Sequence, residues 1–272
     1  MGLKLNKKIK SVILKGNSLA AGFGLDPLKF IQSFRGMPRF LTNYLQLKKQ
    51  MKNNIYPFRI SSFYPVLGDS FQTNGATSGH YFHQDLYVAQ QIYCRNPRVH
   101  FDVGSRVDGF VAHVASFREI KVVDVRPTEI DIPNMEFYQA DLSRPLSPEL
   151  IGGCDSVSCL HALEHFGLGR YGDPVDVNGY EAGFENLMNM LSKGGILYLS
   201  VPIGPQRIEF NAHRVFDVKT ICDMAIRRGG VIKSFSYVDD NGSFHKNVVL
   251  KNDTDNPNFD CAYGCGIFEI VK

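Results

Sequence analysis

No run of about 18 apolar residues interrupts this 272-residue chain, so no membrane-spanning helix is expected. The apolar stretch Ser11-Val12-Ile13-Leu14 stops at Lys15 and Gly16, too short for the core of a secretory signal. Asn6 stands where a myristoylation signal carries Ser or Thr. The six cysteines (Cys94, Cys154, Cys159, Cys222, Cys261 and Cys265) contain no C-x-x-C pair. That argues against zinc knuckles and reads as reduced thiols in a cytoplasmic protein. The dinucleotide fingerprint G-x-G-x-x-G is absent. The spacing of Gly104 and Gly109 matches a P-loop, but Phe110 replaces the required lysine, so a phosphate cradle is excluded. Internal repeats and low-complexity segments are lacking too. What remains, at 44% hydrophobic and 21% charged residues, is the composition of an ordinary globular chain.

Acidic residues are scarce at one end. Residues 1–60 hold twelve basic groups and one acid, Asp26, a net of +11, which leaves −8 for the rest of a chain whose total is +3. This asymmetry reads either as a solvated helical face or as a surface for an anionic partner. Asp26 followed by Pro27 opens a helix, and Pro38 is placed to open a second, with Gly36 between them. Phe40, Leu41, Tyr44 and Leu45 share one side of that second helix. Residues 56–79 read as a connector with room for a hairpin, and residues 80–96 as a helix ended by Pro97. The domain boundary is therefore expected at 79/80: a basic helical extension and connector over 1–79, an α/β domain over 80–272.

From residue 98 strands and helices alternate, which predicts a mainly parallel sheet with helices on both faces and ligands at the carboxyl ends of the strands. An acid closes each of the first strands. Asp102 precedes the turn of Gly104 and Ser105, with Gly109 early in the next helix. Asp124, twenty residues after Gly104 and followed by Val125, is placed to accept from ribose hydroxyls. Asp141, beside Leu142, is placed to take an adenine amino group. Each acid alone could equally cap a turn; the three together point to a nucleoside-bearing cofactor.

These residues, with "SCLHALEHF" and "LSKGGILYLSVP", resemble the class I S-adenosylmethionine-dependent methyltransferases over residues 98–272. "DVGSR-DGF", "HALEHFGLGRYGDP" and "FNAHRVF", together with "YFHQDLYVAQQI", are more similar still to an uncharacterised domain-of-unknown-function branch of that superfamily. The resemblance implies a Rossmann-like seven-stranded sheet whose last strand is antiparallel and inserted beside the fifth. It implies S-adenosylmethionine as cofactor, held by Asp102, Gly104, Ser105, Arg106, Gly109, Asp124, Val125, Asp141, Leu142, Leu160 and His161. It also implies an acceptor linked to surface-glycan (polysaccharide) biosynthesis. The superfamily's further glycines in the first turn are replaced by Arg106 and Asp108. Arg106 would then bind the cofactor's carboxylate, or the pair would crowd the site and leave a non-catalytic binding or scaffold protein.

His161, Glu164 and His165 spell H-x-x-E-H, the inverse of a zinc-protease helix. A zinc hydrolase needs both histidines on one continuous helix, and Gly167 and Gly169 deny that length. The string is expected instead in a loop or single turn above the sheet, with no metal. Glu164 and His165 would face the acceptor, with His165 or His213 as general base for O-methylation of a small or glycan-linked acceptor. Arg170, Tyr171, Asp173 and Arg214 are the acceptor-binding candidates, and Tyr81, His83 and Asp85 are placed to cover the site, unless Tyr81 and Phe82 pack in the core and His83 is solvated. The basic extension would dock on the anionic inner face of a membrane; nucleic acid is not expected.

Overall fold

The computed structural model describes residues 23–53, 58–69, 79–128, 131–210, 212–250 and 257–272. The chain divides into two compact units, Met1–Ala76 and Thr77–Lys272.

In the first unit a single helix, α1 (Pro27–Asn53), runs through both glycine and proline where two helices were expected. Asp26 caps it: its carboxylate accepts from the Lys29 amide at 2.9 Å. Pro38 ought to end the helix, since it removes one backbone donor and crowds the preceding turn at a cost of about 3 kcal/mol. The helix survives because residues on both sides of Pro38 pack on the same extended segment. Phe63 meets the rings of Phe40 and Tyr44, and Leu67 lies on Gly36. A Cβ at Gly36 would stand 2.0 Å from the Leu67 carbonyl oxygen, so this glycine serves close approach and not termination. Phe30, Phe34, Leu41 and Leu45 on another side of α1 are exposed. Residues 58–69 carry no strand; the rest of the expected hairpin region lies outside the described residues.

The second unit opens with α2 (His80–Arg95), stopped by left-handed Asn96 (φ 45°) ahead of Pro97. The strands that follow are β1 (His100–Val103), β2 (Ile120–Asp124), β3 (Met135–Gln139), β4 (Cys154–Leu160) and β5 (Leu191–Ile203). Next come a small ribbon of β6 (Arg207–Glu209) and β7 (His213–Val215), then β8 (Val231–Val238), β9 (Phe244–His245) and β10 (Gly264–Val271). A π-turn (Val107–Val111) leads into the short α3 (Ala112–Ala115) between β1 and β2. Helices α4 (Gly179–Met190) and α5 (Val218–Arg227) flank β5 and the ribbon in sequence.

The main sheet has the order β3-β2-β1-β4-β5-β10-β8-β9. Strands β1 to β5 are parallel neighbours in that order, and β10 runs antiparallel between β5 and β8. This is the expected Rossmann-like methyltransferase sheet with one correction: it has eight strands and not seven, because β9 pairs onto β8 at the edge through two residues. Side chains alternate across the buried strands as pleating requires. On β5, Leu197, Leu199 and Val201 join α4 residues Phe184, Leu187 and Met188 in one apolar cluster. Tyr198 turns the other way, into the cluster of α2 residues Val88 and Ile92 with Phe110 and Val114. The sheet is therefore covered on both faces, and its open end is the carboxyl end of β1 to β4.

Candidate active site

At that end lies a cleft, partly open to solvent. Gly104, Asp124, Val125, Asp141, Leu142 and His161 all line it, as the sequence led one to expect. Gly104 sits at φ +71°, and a Cβ there would come 2.9 Å from the Ala162 side chain, so the turn after β1 depends on glycine. Asp124 closes β2 and is held by Arg126 through Nε (3.0 Å) and Nη2 (2.8 Å), and by the Arg126 amide. The Arg126 guanidinium also lies over the Tyr171 ring, 4.7 Å from its centroid, so the β2 and β4 loops touch. Asp141 accepts from the amide and hydroxyl of Ser143, the local turn that was the alternative reading of this acid.

Other expected cofactor residues lie outside the cleft lining. Asp102 is fully buried, accepting from Ser105 Oγ (2.7 Å), Ser158 Oγ (2.6 Å) and the Ser105 amide. Burial pushes its carboxyl up to about 7, against the pull of those hydrogen bonds. It braces the turn from below, and Ser105 and Leu160 are buried with it. Arg106 is turned to Asp108 and over Tyr81, and Gly109 packs beside the Asp85 carboxylate.

The HALEH string forms a single 3₁₀ turn (Leu163–His165), as expected for a loop above the sheet. Its two histidines face different partners. His161, at left-handed φ +52°, is pinned by its amide to Ser200, and its Nδ1 meets Glu164 Oε1 at 2.7 Å. His165 lines the cleft. Its Nδ1 lies 2.7 Å from the Ala212 carbonyl, which can only accept, so the ring proton sits on Nδ1 and Nε2 keeps a free lone pair. Burial lowers the His165 pKa, Glu164 opposing, so the ring is neutral at pH 7. His213, on β7, is likewise lowered, chiefly by burial. Its buried Nε2 has no hydrogen-bond partner among the described residues and lies 3.5 Å from Glu209. The His213 ring sits against Tyr263 and edge-on to His165.

The acceptor candidates divide. Tyr171 and Asp173 line the cleft. Asp173 accepts from the amides of Gly167, Gly169 and Tyr171, so it also ties the glycine-rich loop together. Arg170 shares the Ala212 carbonyl with His165. Arg214 is buried, with its guanidinium on the carbonyls of Phe166, Glu164 and Val177, and serves the loop rather than the cleft. From α2, Tyr81 reaches the His161 ring, whereas His83 stacks on Phe244 of the edge strand. Sequence reasoning missed His80, Tyr263 and Cys265, all gathered around His161. No local spacing connects residues 80, 161 and 265.

Comparisons with known proteins agree with this architecture. A sequence comparison with curated proteins finds no match. Among solved structures the cyclase SpnF is similar at 10% identity and TM-score 0.50, over 73% of this chain and 85% of that one. The Haemonchus contortus phospholethanolamine N-methyltransferase 2, solved with phosphomonomethylethanolamine and S-adenosylhomocysteine, is similar at 12% identity and TM-score 0.50. That likeness covers 73% of this chain and 55% of the other, so the chain spans about half of that enzyme. Residues 141–254 match a family described as Caenorhabditis protein of unknown function, DUF268. The chain thus has the fold of the class I S-adenosylmethionine-dependent methyltransferases, and its 141–254 segment matches that family of unknown function.

Proposed function

We propose that the cleft binds S-adenosylmethionine and that the protein transfers its methyl group to a hydroxyl of a small or glycan-linked acceptor. One observation carries the reading: Gly104, Asp124, Asp141 and His161, from the ends of four adjacent parallel strands, line a single cleft. The cofactor, when bound, supplies an already activated methyl on sulfur, so the protein's work is alignment and removal of one proton. Asp124 accepts from the ribose hydroxyls, which requires the Arg126 side chain to give up part of its hold. Asp141 and Leu142 flank the base, and the Gly104 turn lets the backbone approach. His165 accepts the acceptor's proton at Nε2 while the Ala212 carbonyl holds the other ring nitrogen; it is preferred over His213 because it lines the cleft. The non-catalytic reading rested on crowding by Arg106 and Asp108, which instead pair with each other. The fold alone does not choose the reaction, since a cyclase and an N-methyltransferase share it. Calorimetry on the full chain tests the reading: S-adenosylmethionine and S-adenosylhomocysteine should each bind one site, and binding of neither would overturn it.

The first unit is proposed to dock on an anionic lipid surface. Its support is the +11 charge of residues 1–60 with exposed Phe30, Phe34, Leu41 and Leu45 at helical spacing on α1. Among the described residues no helix is long and apolar enough to cross a membrane. Each basic group near an anionic leaflet contributes about 1 kcal/mol. The full chain should sediment with anionic vesicles at low salt and release as salt rises, and should ignore neutral vesicles. Indifference to vesicle charge would sink the proposal.

A further inference from the structure

His80, His161 and Cys265 converge from three separate elements. His80 is the first residue of α2, His161 follows β4, and Cys265 is the second residue of β10. One donor atom of each lies within 4.8 Å of the other two. His80 Nδ1 and His161 Nε2 stand 3.1 Å apart, with the rings stacked at 4°. Two imidazole nitrogens on one tetrahedral zinc would be separated by about 3.3 Å, and a nitrogen and a thiolate by about 3.6 Å, given the usual bond lengths. The nitrogens already have that spacing; the sulfur needs to close by about 1 Å at most.

We propose that these three side chains form a zinc site with a fourth position open to water or an acceptor oxygen. Four features around them support it. First, Glu164 Oε1 takes the Nδ1 proton of His161, the carboxylate–histidine pairing that fixes a metal ligand's tautomer and presents its Nε2 lone pair inward. Second, Glu164 is buried, and its other oxygen, Oε2, has no partner among the described residues, which in an interior calls for a water or an ion. Third, His161 is held in a left-handed backbone conformation that costs on the order of 1 kcal/mol or more in a non-glycine residue, and two contacts to Ser200 keep it there. Fourth, the charges balance: zinc binding releases the Cys265 thiol proton to solvent, and the thiolate and Glu164 carboxylate together neutralise the dication in a buried place. Without zinc the Cys265 thiol donates to Gln84 Oε1 at 3.6 Å, a contact given up when the thiol proton leaves, while Ser200 Oγ goes on donating to the same oxygen at 2.6 Å. The H-x-x-E-H string is not the site: it forms a single 3₁₀ turn rather than a continuous helix, and the group of donors within ligand distance of one another is His80, His161 and Cys265, without His165. The expectation of a metal-free protein came from that string alone. The site also stands independently of methyl transfer, since its ligands can be loaded without cofactor or acceptor.

Metal analysis of the full chain, stripped with chelator and reloaded with zinc alone, tests this. One equivalent should remain after gel filtration in the wild type, in His165→Gln and in Cys222→Ser. It should be lost in His80→Gln and in Cys265→Ser. Glu164→Gln should bind zinc about 10–100-fold more weakly. Cobalt(II) loaded into the unmutated protein gives a second readout that needs no variant to fold: a thiolate-to-metal charge-transfer band with a tetrahedral visible spectrum. Failure of the wild type to retain zinc, a cobalt adduct with no thiolate band, or zinc retained by Cys265→Ser would overturn the site. Loss of zinc in His165→Gln with retention in His80→Gln would move the ion to the H-x-x-E-H string and equally overturn it.

Discussion

The two halves of the cleft are built differently. On the β1–β3 side each acid has a partner among its own neighbours: Asp102 in Ser105, Asp124 in Arg126, Asp141 in Ser143, with Asp102 alone adding a remote one, Ser158 on β4. On the β4 side the partners are remote. His161 meets His80, His165 meets Ala212, and His213 meets Tyr263. Apart from the Asp102–Ser158 bond, the first half is therefore assembled as each strand and turn forms, and in the proposed function it binds the cofactor. The second exists only once α2, the ribbon and β10 have docked, and it gathers the groups suited to moving protons. Losses on the first side should appear in affinity and stability, and losses on the second in turnover.

The largest expected effect belongs to His165. Its replacement by glutamine should lower kcat by about 10²–10⁴-fold while leaving the cofactor's Kd unchanged. A matching loss of cofactor affinity would erase the division between halves. In the wild type, activity should rise with pH and level off with an apparent pKa below the ordinary imidazole value of 6.5, because burial depresses His165. A midpoint above 6.5 would take His165 out of the base role.

Asp102 offers the next effect, on stability. Its carboxyl is raised from 3.8 to about 7 by burial, so the folded state holds its proton more tightly than the unfolded one. Stability should therefore be greatest below pH 3.8 as far as this group is concerned, and fall as pH rises toward about 7. The swing is on the order of 4 kcal/mol. Denaturant titrations of wild type and Asp102→Asn across that window should converge at the acid end and diverge in slope above it; parallel curves would mean that Asp102 ionises freely.

Asp124→Ala should weaken cofactor binding by about 1.5–3 kcal/mol without altering turnover at saturation. Unchanged affinity would place the ribose elsewhere. The smallest effect is Gly104→Ala, which forces a side chain into φ +71° against Ala162. It should lower stability by about 1–2 kcal/mol, read as a drop in Tm. An alanine tolerated there with full cofactor affinity would show that the turn is not constrained by close approach.

Legibility in the sequence follows the same division. Asp124, Asp141 and Gly104 could be placed at strand ends because strand ends and turns are local. The antiparallel insertion of the last strand came from family resemblance, not from periodicity. The β6–β7 ribbon was not foreseen, since three-residue strands are too short to show alternation. Pro38 misled because a proline's local cost says nothing of the packing by Phe63 and Leu67 that outweighs it. Arg214 looked like an acceptor ligand because a sequence shows its charge and not the carbonyls around it.

The Ala212 carbonyl has one further implication. It fixes the proton on His165, yet it belongs to the main chain and is present whatever side chain occupies position 212. Substitution scanning along the ribbon would score the position as silent while its oxygen governs which nitrogen is basic. Only an edit of the peptide linkage itself, such as an amide-to-ester exchange that weakens this acceptor, would expose the dependence. The basicity of that imidazole is thus inherited from the path of the chain, where natural variation in residue identity has no direct means of erasing it.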